Sequence, residues 1–314
     1  MEIFEVIQPG PLTTIQDLGR CGYQQYGVPV SGAMDNYALR LGNLLVGNNE
    51  GEACLEITLL GLQLQILENT VVAITGADLS PSLNGISLPM WEAVILCKGD
   101  IVSLPWPKNG CRAYLAVSGG IEVPKVMGSA STYTKAQLGG LGGRALRAGD
   151  RLRTGKPQSL VVGRKVPAKY IPEYGNNYEL RVLMGPQDDY FTEQGIYTFV
   201  NSEYVISAEA DRMGYRLEGL HIEHKDRADI ISDGIPLGAV QVPGDGLPII
   251  LLADRQATGG YTKIATVASA DIPKIAQAKP GNKVKFTRIT VDEAHKALRE
   301  YERTIYTLKG LIQE

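Results

Sequence analysis

Apolar and polar positions alternate over short distances through most of this chain. In Leu62-Gln63-Leu64-Gln65-Ile66 every second side chain is apolar, the pattern of a strand with one face buried. Compact apolar runs predict further strands at residues 71–74, 93–96, 114–117, 180–184, 204–206 and 249–252. Turn formers bound most of them, as at Asn84-Gly85 and Lys98-Gly99-Asp100. Many short strands separated by close-spaced turns predict a mainly β chain of barrels or sandwiches.

Helical spacing is rare. Tyr37, Leu41, Leu44 and Leu45 follow it, and Gly47-Asn48 supplies a stop. The clearest case is C-terminal: Val291, Ala294, Leu298, Tyr301, Ile305 and Leu308 recur three and four apart. Thr290 and Glu293 form a capping-box pattern at its start. Such a helix is expected to lie across a lobe as a clamp.

Residues 156–179 read as a linker, with Pro157, Pro167, Pro172, Gly175 and the Asn176-Asn177 pair and little periodicity. The expected division is a first domain over 1–155, the linker, a second domain over 180–290 and the terminal helix over 291–314. The halves echo each other. Asp17-Leu18-Gly19-Arg20-Cys21-Gly22-Tyr23 and Asp211-Arg212-Met213-Gly214-Tyr215 share Arg-x-Gly-Tyr. Downstream, Gly27-Val28-Pro29-Val30-Ser31-Gly32-Ala33 is matched by Gly234-Ile235-Pro236-Leu237-Gly238-Ala239 with one residue fewer. The echo reads as a degenerate duplication of one β-barrel module.

The bulk numbers narrow the function. The 314 residues carry a net charge of -3, which argues against nucleic acid as the main partner. No apolar run approaches the roughly 20 residues needed to cross a bilayer, and the start, Met1-Glu2-Ile3-Phe4-Glu5, lacks the regions of a signal peptide. A cytoplasmic location is expected. Cys21, Cys54, Cys97 and Cys111 are scattered with no CxxC pair and read as buried thiols, with Cys21 the exception to watch in its charged, glycine-flanked loop. The histidines His221, His224 and His295 give no metal-binding pattern, so no metal is expected.

Three segments carry candidate chemistry. In the first, the apolar run ending at Leu252 is followed by Ala253-Asp254-Arg255-Gln256 and Thr258-Gly259-Gly260-Tyr261, with Gln241 upstream. Arg255 is suited to clamp a carboxylate or phosphoryl group, Asp254 to act as a general base and Gln256 to read an amide. The alternative is an Asp254–Arg255 ion pair stapling a turn. The second is the pair of loops holding Asp17 and Arg20 in one half and Arg212, Tyr215 and Arg216 in the other, which would offer the same Asp/Arg chemistry from two sides of a cleft or serve as repeated structural turns. The third is Val117-Ser118-Gly119-Gly120 with Gly128-Ser129-Ala130-Ser131-Thr132-Tyr133, a plausible anion nest. No Gly-x-Ser-x-Gly elbow, no P-loop, no dinucleotide fingerprint and no Met-Lys-Met biotin-attachment string occurs.

The ordered segments from Gly10 to Phe286, above all Gly10 to Arg20, Gly32-Ala33-Met34-Asp35, Arg212 to Gly219 and Asp254 to Tyr261, resemble the allophanate hydrolase subunit 2 family, also labelled biotin-dependent carboxyltransferase. That family includes the C subunit of bacterial 5-oxoprolinase, the protein KipA that antagonises the kinase inhibitor KipI, and the carboxyltransferase region of urea carboxylase. The resemblance implies two tandem cyclophilin-like β-barrel domains. It implies a B-type partner, of the allophanate hydrolase subunit 1 or KipI kind, and an A-type partner working with both. The expected activity is ATP-dependent opening of the lactam of 5-oxoproline to glutamate, with the ATP site unplaced, no covalent biotin and the single chain inactive. A KipA-like regulatory role and carboxyl transfer to urea or a similar amide are the alternatives. Catalytic roles fall to Asp254, Arg255 and Gln256, and substrate contacts to Asp17, Arg20, Arg212, Tyr215, Arg216, Gln241, Gly259, Gly260 and Tyr261. One departure stands out: Ala130 sits where the family's Gly-Ser-Arg-Ser-Thr-Tyr run has arginine.

Overall fold

A computed structural model describes residues 1–156 and 161–313. Pro157 and its neighbours to 160 in the expected linker, and Glu314 at the end of the terminal helix, lie outside the described residues. The chain is mainly β and divides into two units. The first comprises Met1–Arg20, Ser31–Tyr174 and the last helical turns from Thr304; the second comprises Cys21–Val30 and Gly175–Arg303.

In the first unit, a seven-stranded and a five-stranded sheet enclose one apolar core. The alternating segment is the strand Leu62–Ile66, whose Leu62, Leu64 and Ile66 enter that core while Gln65 faces out. Central strands Thr70–Gly76 and Arg112–Val117 are buried along their whole length, which explains their continuous apolar runs. The helix Asn36–Leu45 is capped by Asp35, whose carboxylate accepts from the amide of Ala38 at 3.0 Å.

The second unit is a closed barrel. Strands run in the order Asn177–Met184, Lys283–Arg288, Glu203–Ile206, Gly214–Glu218, Ile249–Leu251, Ala239–Val242, Thr258–Val267. Pairing of Val182 with Val267 joins the last strand back to the first. An eighth strand, Asp229–Gly234, lies outside this ring and pairs with Thr258–Val267. The helix Glu193–Asn201 covers the barrel by stacking Phe199 on Phe286 at 4.5 Å. This mainly β, two-unit architecture is the one the family resemblance implies.

The stretch expected as a linker is partly built into the first unit. Gly163 and Arg164 exchange backbone hydrogen bonds with Ala93, the amide of Val166 donates to Trp91, and Tyr170 accepts from the Tyr37 hydroxyl. The terminal helix Val291–Gln313 opens with the expected capping box: the Thr290 amide donates to Glu293 at 2.7 Å and the Glu293 amide to the Thr290 hydroxyl at 3.3 Å. Val291 and Leu298 are exposed, so the buried stripe is narrower than the periodicity implied. All four cysteines are free thiols; Cys54 and Cys111 are buried, whereas Cys21 and Cys97 are exposed because both sit in loops. Among the described residues no helix is long and apolar enough to cross a membrane.

Candidate functional site

The richest cluster of buried polar groups that the sequence flagged lies in the second unit, around the exit of strand Ile249–Leu251. The chain leaves that strand beside the neighbouring Arg212–Met213 segment: the amide of Leu252 donates to the carbonyl of Met213, and that of Asp254 to the carbonyl of Arg212. This brings two buried side chains together. Arg212 donates from Nε to Asp254 Oδ2 at 2.9 Å and from Nη2 to Oδ1 at 3.1 Å. The carboxylate of Asp254 therefore belongs to Arg212, and the alternative Asp254–Arg255 staple does not form.

Arg255 is left differently placed. Its side chain is buried, and its hydrogen bonds run to backbone carbonyls, Nε to Ile235 at 3.0 Å and Nη1 to Leu252 at 3.3 Å. Among the described residues no carboxylate pairs with it. Burial without a counter-charge lowers the guanidinium from its ordinary value to about 10. A desolvated cation satisfied by neutral acceptors alone is costly to fold around and well suited to receive an anion.

Two carboxamides converge near the same Ile235. The position of a side chain on Gly259 would fall 2.7 Å from Ile235 Cδ1, 3.0 Å from Gln241 Nε2 and 3.5 Å from Gln256 Nε2. Glycine here is what allows both amides and Ile235 to converge. Gln241 is buried, its Nε2 donating to the carbonyl of Tyr261 at 3.4 Å. Gln256 and Tyr261 are exposed at the rim, and Gly260 lies near Ser232 on the outlying strand.

Sequence reasoning missed a third buried cation in this cluster, beside Arg212 and Arg255. Lys263 stands directly opposite Gln241 in the antiparallel ladder, beside a β-bulge, so the two side chains share a face. Its ammonium is hidden and donates to Asp233 Oδ2 at 3.1 Å. The available signal was a lone lysine inside Tyr261-Thr262-Lys263-Ile264-Ala265, where a strand buried on both faces leaves it no route to solvent. His224, whose Nε2 lies 3.1 Å from the Thr262 hydroxyl, packs its ring on Phe191 at 4.5 Å and is half-buried, pushed below its ordinary value by that burial.

The remaining expected contacts are built otherwise. Tyr215 is buried in its strand with its hydroxyl donating to the carbonyl of Ala278 at 3.1 Å, because inward positions of a closed barrel are filled by side chains. Arg216, the next residue, faces out and pairs with Glu209 at 3.1 Å on the surface. In the first unit Asp17 is the hub of the Gly128-to-Tyr133 loop: it accepts from the Ser129 and Ser131 hydroxyls and from the amides of Gly19 and Ala130. Arg20 is buried and donates to the carbonyl of Ser131. The two arginines of the repeated motif thus have different partners. The first unit also holds a buried group the sequence did not flag, Glu56, which accepts from the Tyr114 hydroxyl at 2.7 Å and the Met34 amide at 2.9 Å. Among the described residues no cluster of side chains suited to a metal ion occurs.

Comparison with known proteins places this arrangement. Residues 26–288 match the carboxyltransferase domain, subdomain A and B. The 5-oxoprolinase C subunit of Escherichia coli is 38% identical over 96% of both chains, and that of Haemophilus influenzae 35% over 99% of both. Among solved structures, the urea amidolyase of K. lactis superposes with a TM-score of 0.92 at 33% identity, covering 98% of this chain but 20% of that one. This chain belongs to the carboxyltransferase family built of subdomains A and B.

Proposed function

We propose that this chain is the C-type subunit of an ATP-dependent 5-oxoprolinase, working in the cytoplasm with separate A- and B-type subunits to open the lactam of 5-oxo-L-proline to L-glutamate. The observation that carries this reading is Arg255, a buried guanidinium whose partners are neutral carbonyls. 5-Oxoproline brings a carboxylate to such a group; urea is neutral, and in the second reading below the anion is the carboxyl group of carboxybiotin. Gln241 and Gln256 offer donors and acceptors of the kind that read a lactam N–H and C=O. End-to-end similarity to two 5-oxoprolinase C subunits supports the same reading.

The chemistry explains why several chains are needed. Amide resonance makes the lactam carbonyl a poor electrophile, and phosphorylating its oxygen creates a leaving group. Cationic groups then hold the carboxylate and the charge on the phosphoryl. Arg255 is the group this chain offers for the carboxylate, and ATP is a substrate of the assembled complex with no site assigned to this chain.

The second reading, carboxyl transfer to urea or a similar amide, is favoured by the close superposition on urea amidolyase. Against it stands the lack of a biotin-attachment string, so a separate carrier would have to supply carboxybiotin. Co-expression with the B-type partner, addition of the A-type partner and an assay for ATP-dependent glutamate formation test the proposal. Glutamate should form with all three chains and not with this chain alone. A complete complex that makes none, but carboxylates urea from carboxybiotin, would establish the second reading.

A further inference from the structure

Two of the buried cations of the second unit, Arg255 and Lys263, grip one short segment. Arg255 Nε donates to the carbonyl of Ile235, and Lys263 Nζ to the carboxylate of Asp233, two residues earlier in the chain. Gln241 stands opposite Lys263 in the ladder, and its amide lies with that of Gln256 and with Ile235 around Gly259. The Lys263–Asp233 pair is lopsided. The lysine side chain is 2% exposed and the aspartate 58%, so the carboxylate is the group between the ammonium and solvent. Its other oxygen accepts from the amide of Gly234 at 2.7 Å. An ammonium has three donors, and Asp233 takes one; among the described residues Lys263 has no other side-chain partner for it. A carboxylate so well solvated binds weakly, so an incoming oxygen can take its place.

We propose that Lys263 is a second substrate-contacting cation of this site, donating to the lactam oxygen while Arg255 holds the carboxylate, with Asp233 competing for the same ammonium. The proposal rests on the 5-oxoproline reading for the identity of the ligand, but the cation assignment is separable from it. A structural staple would behave otherwise. If Lys263 only anchors the outlying strand, removing the Asp233 charge loosens that strand and leaves ligand affinity unchanged.

The test uses the full-length chain, with lysine ammonium and arginine guanidinium signals followed by ¹H–¹⁵N NMR during titration with 5-oxo-L-proline, with pyrrolidin-2-one, which has the lactam and lacks the carboxylate, and with acetate. The Lys263 ammonium should shift with both lactams, and the Arg255 guanidinium with 5-oxo-L-proline and acetate. Asp233→Asn should tighten 5-oxo-L-proline by about fivefold, the upper end of what an exposed ion pair contributes. Lys263→Met should abolish the response to pyrrolidin-2-one; should that variant not fold, Asp233→Asn, altered at an exposed carboxylate, decides alone. An unmoved Lys263 signal with every probe, or unchanged affinity in Asp233→Asn, overturns the assignment. If 5-oxo-L-proline shifts Arg255 and leaves Lys263 still, the assignment falls and the substrate reading stands. If neither lactam shifts any signal while acetate shifts Lys263, the substrate reading falls and Lys263 remains an anion contact.

Discussion

Asp254 and Arg212 hold each other in the interior of the second unit through two parallel hydrogen bonds, so removing either charge breaks both bonds in a desolvated place. Asp254→Asn is therefore expected to lower stability in urea denaturation by about 3–5 kcal/mol, the scale for breaking a buried pair. The double variant Arg212→Met with Asp254→Asn should lose clearly less than the sum of the two single changes, because both single changes break the same pair of hydrogen bonds. Additive losses would show that the pair is not coupled. If Asp254→Asn instead keeps full stability, and the assembled complex loses about 100-fold or more in activity, Asp254 is a base, as the sequence alone had it. That a charged triplet closing an apolar strand is chemically important was legible from the residues. Which arginine would meet Asp254 was not. The choice depends on strand Gly214–Glu218 lying beside Ile249–Leu251, a pairing between segments far apart in the chain. Lys263 was missed for a related reason: a lone lysine within Thr262 to Ala265 was the local mark, and its burial comes from the strands on either side.

Seven of the twenty strands among the described residues were readable, because burial of one or both faces leaves a local mark, as in Leu62–Ile66 and Ala93–Leu96. The helix Ile272–Ala276 left none, being only five residues long. What fixes its start is a tertiary ion cluster: Asp271, fully buried, accepts from the Arg181 amide and from its guanidinium at 2.9 and 2.6 Å, and lies 2.9 Å from Lys274. Burial pushes the Asp271 carboxyl up, but the bonds from Arg181 and Lys274 outweigh it and hold the group below its ordinary value. A carboxyl whose folded-state value is depressed stabilises the fold above its unfolded value and loses that contribution as pH falls through the folded one. Asp271→Asn should cost roughly 2 kcal/mol at neutral pH, less than a wholly buried pair, because Arg181 and Lys274 are partly solvated. The difference between variant and parent should shrink as pH is lowered below about 4. A difference that stays constant down to pH 2 would mean that the charge of Asp271 contributes nothing.

At the scale of the whole molecule, the chain matches 5-oxoprolinase C subunits from end to end, and 20% of a urea amidolyase. In the large protein the same fold is one region among several. On the proposed function, separate partners supply the rest of the activity. The second unit buries Arg255 and Lys263, and on the proposed function ATP chemistry is expected to need another chain. The full chain should accordingly form a stable hetero-complex with its B-type partner, and two-fold symmetry is the expected form. Size-exclusion chromatography with light scattering, at micromolar concentration of each chain, should give one species heavier than either alone. Partner binding must also stabilise this fold by mass action, by about 2.7 kcal/mol when the free partner stands at 100 times the dissociation constant. The melting temperature should therefore rise with partner concentration. Separate elution together with an unmoved melting temperature would make this chain a stand-alone protein and remove the basis for placing it in a multi-subunit lactam-opening enzyme.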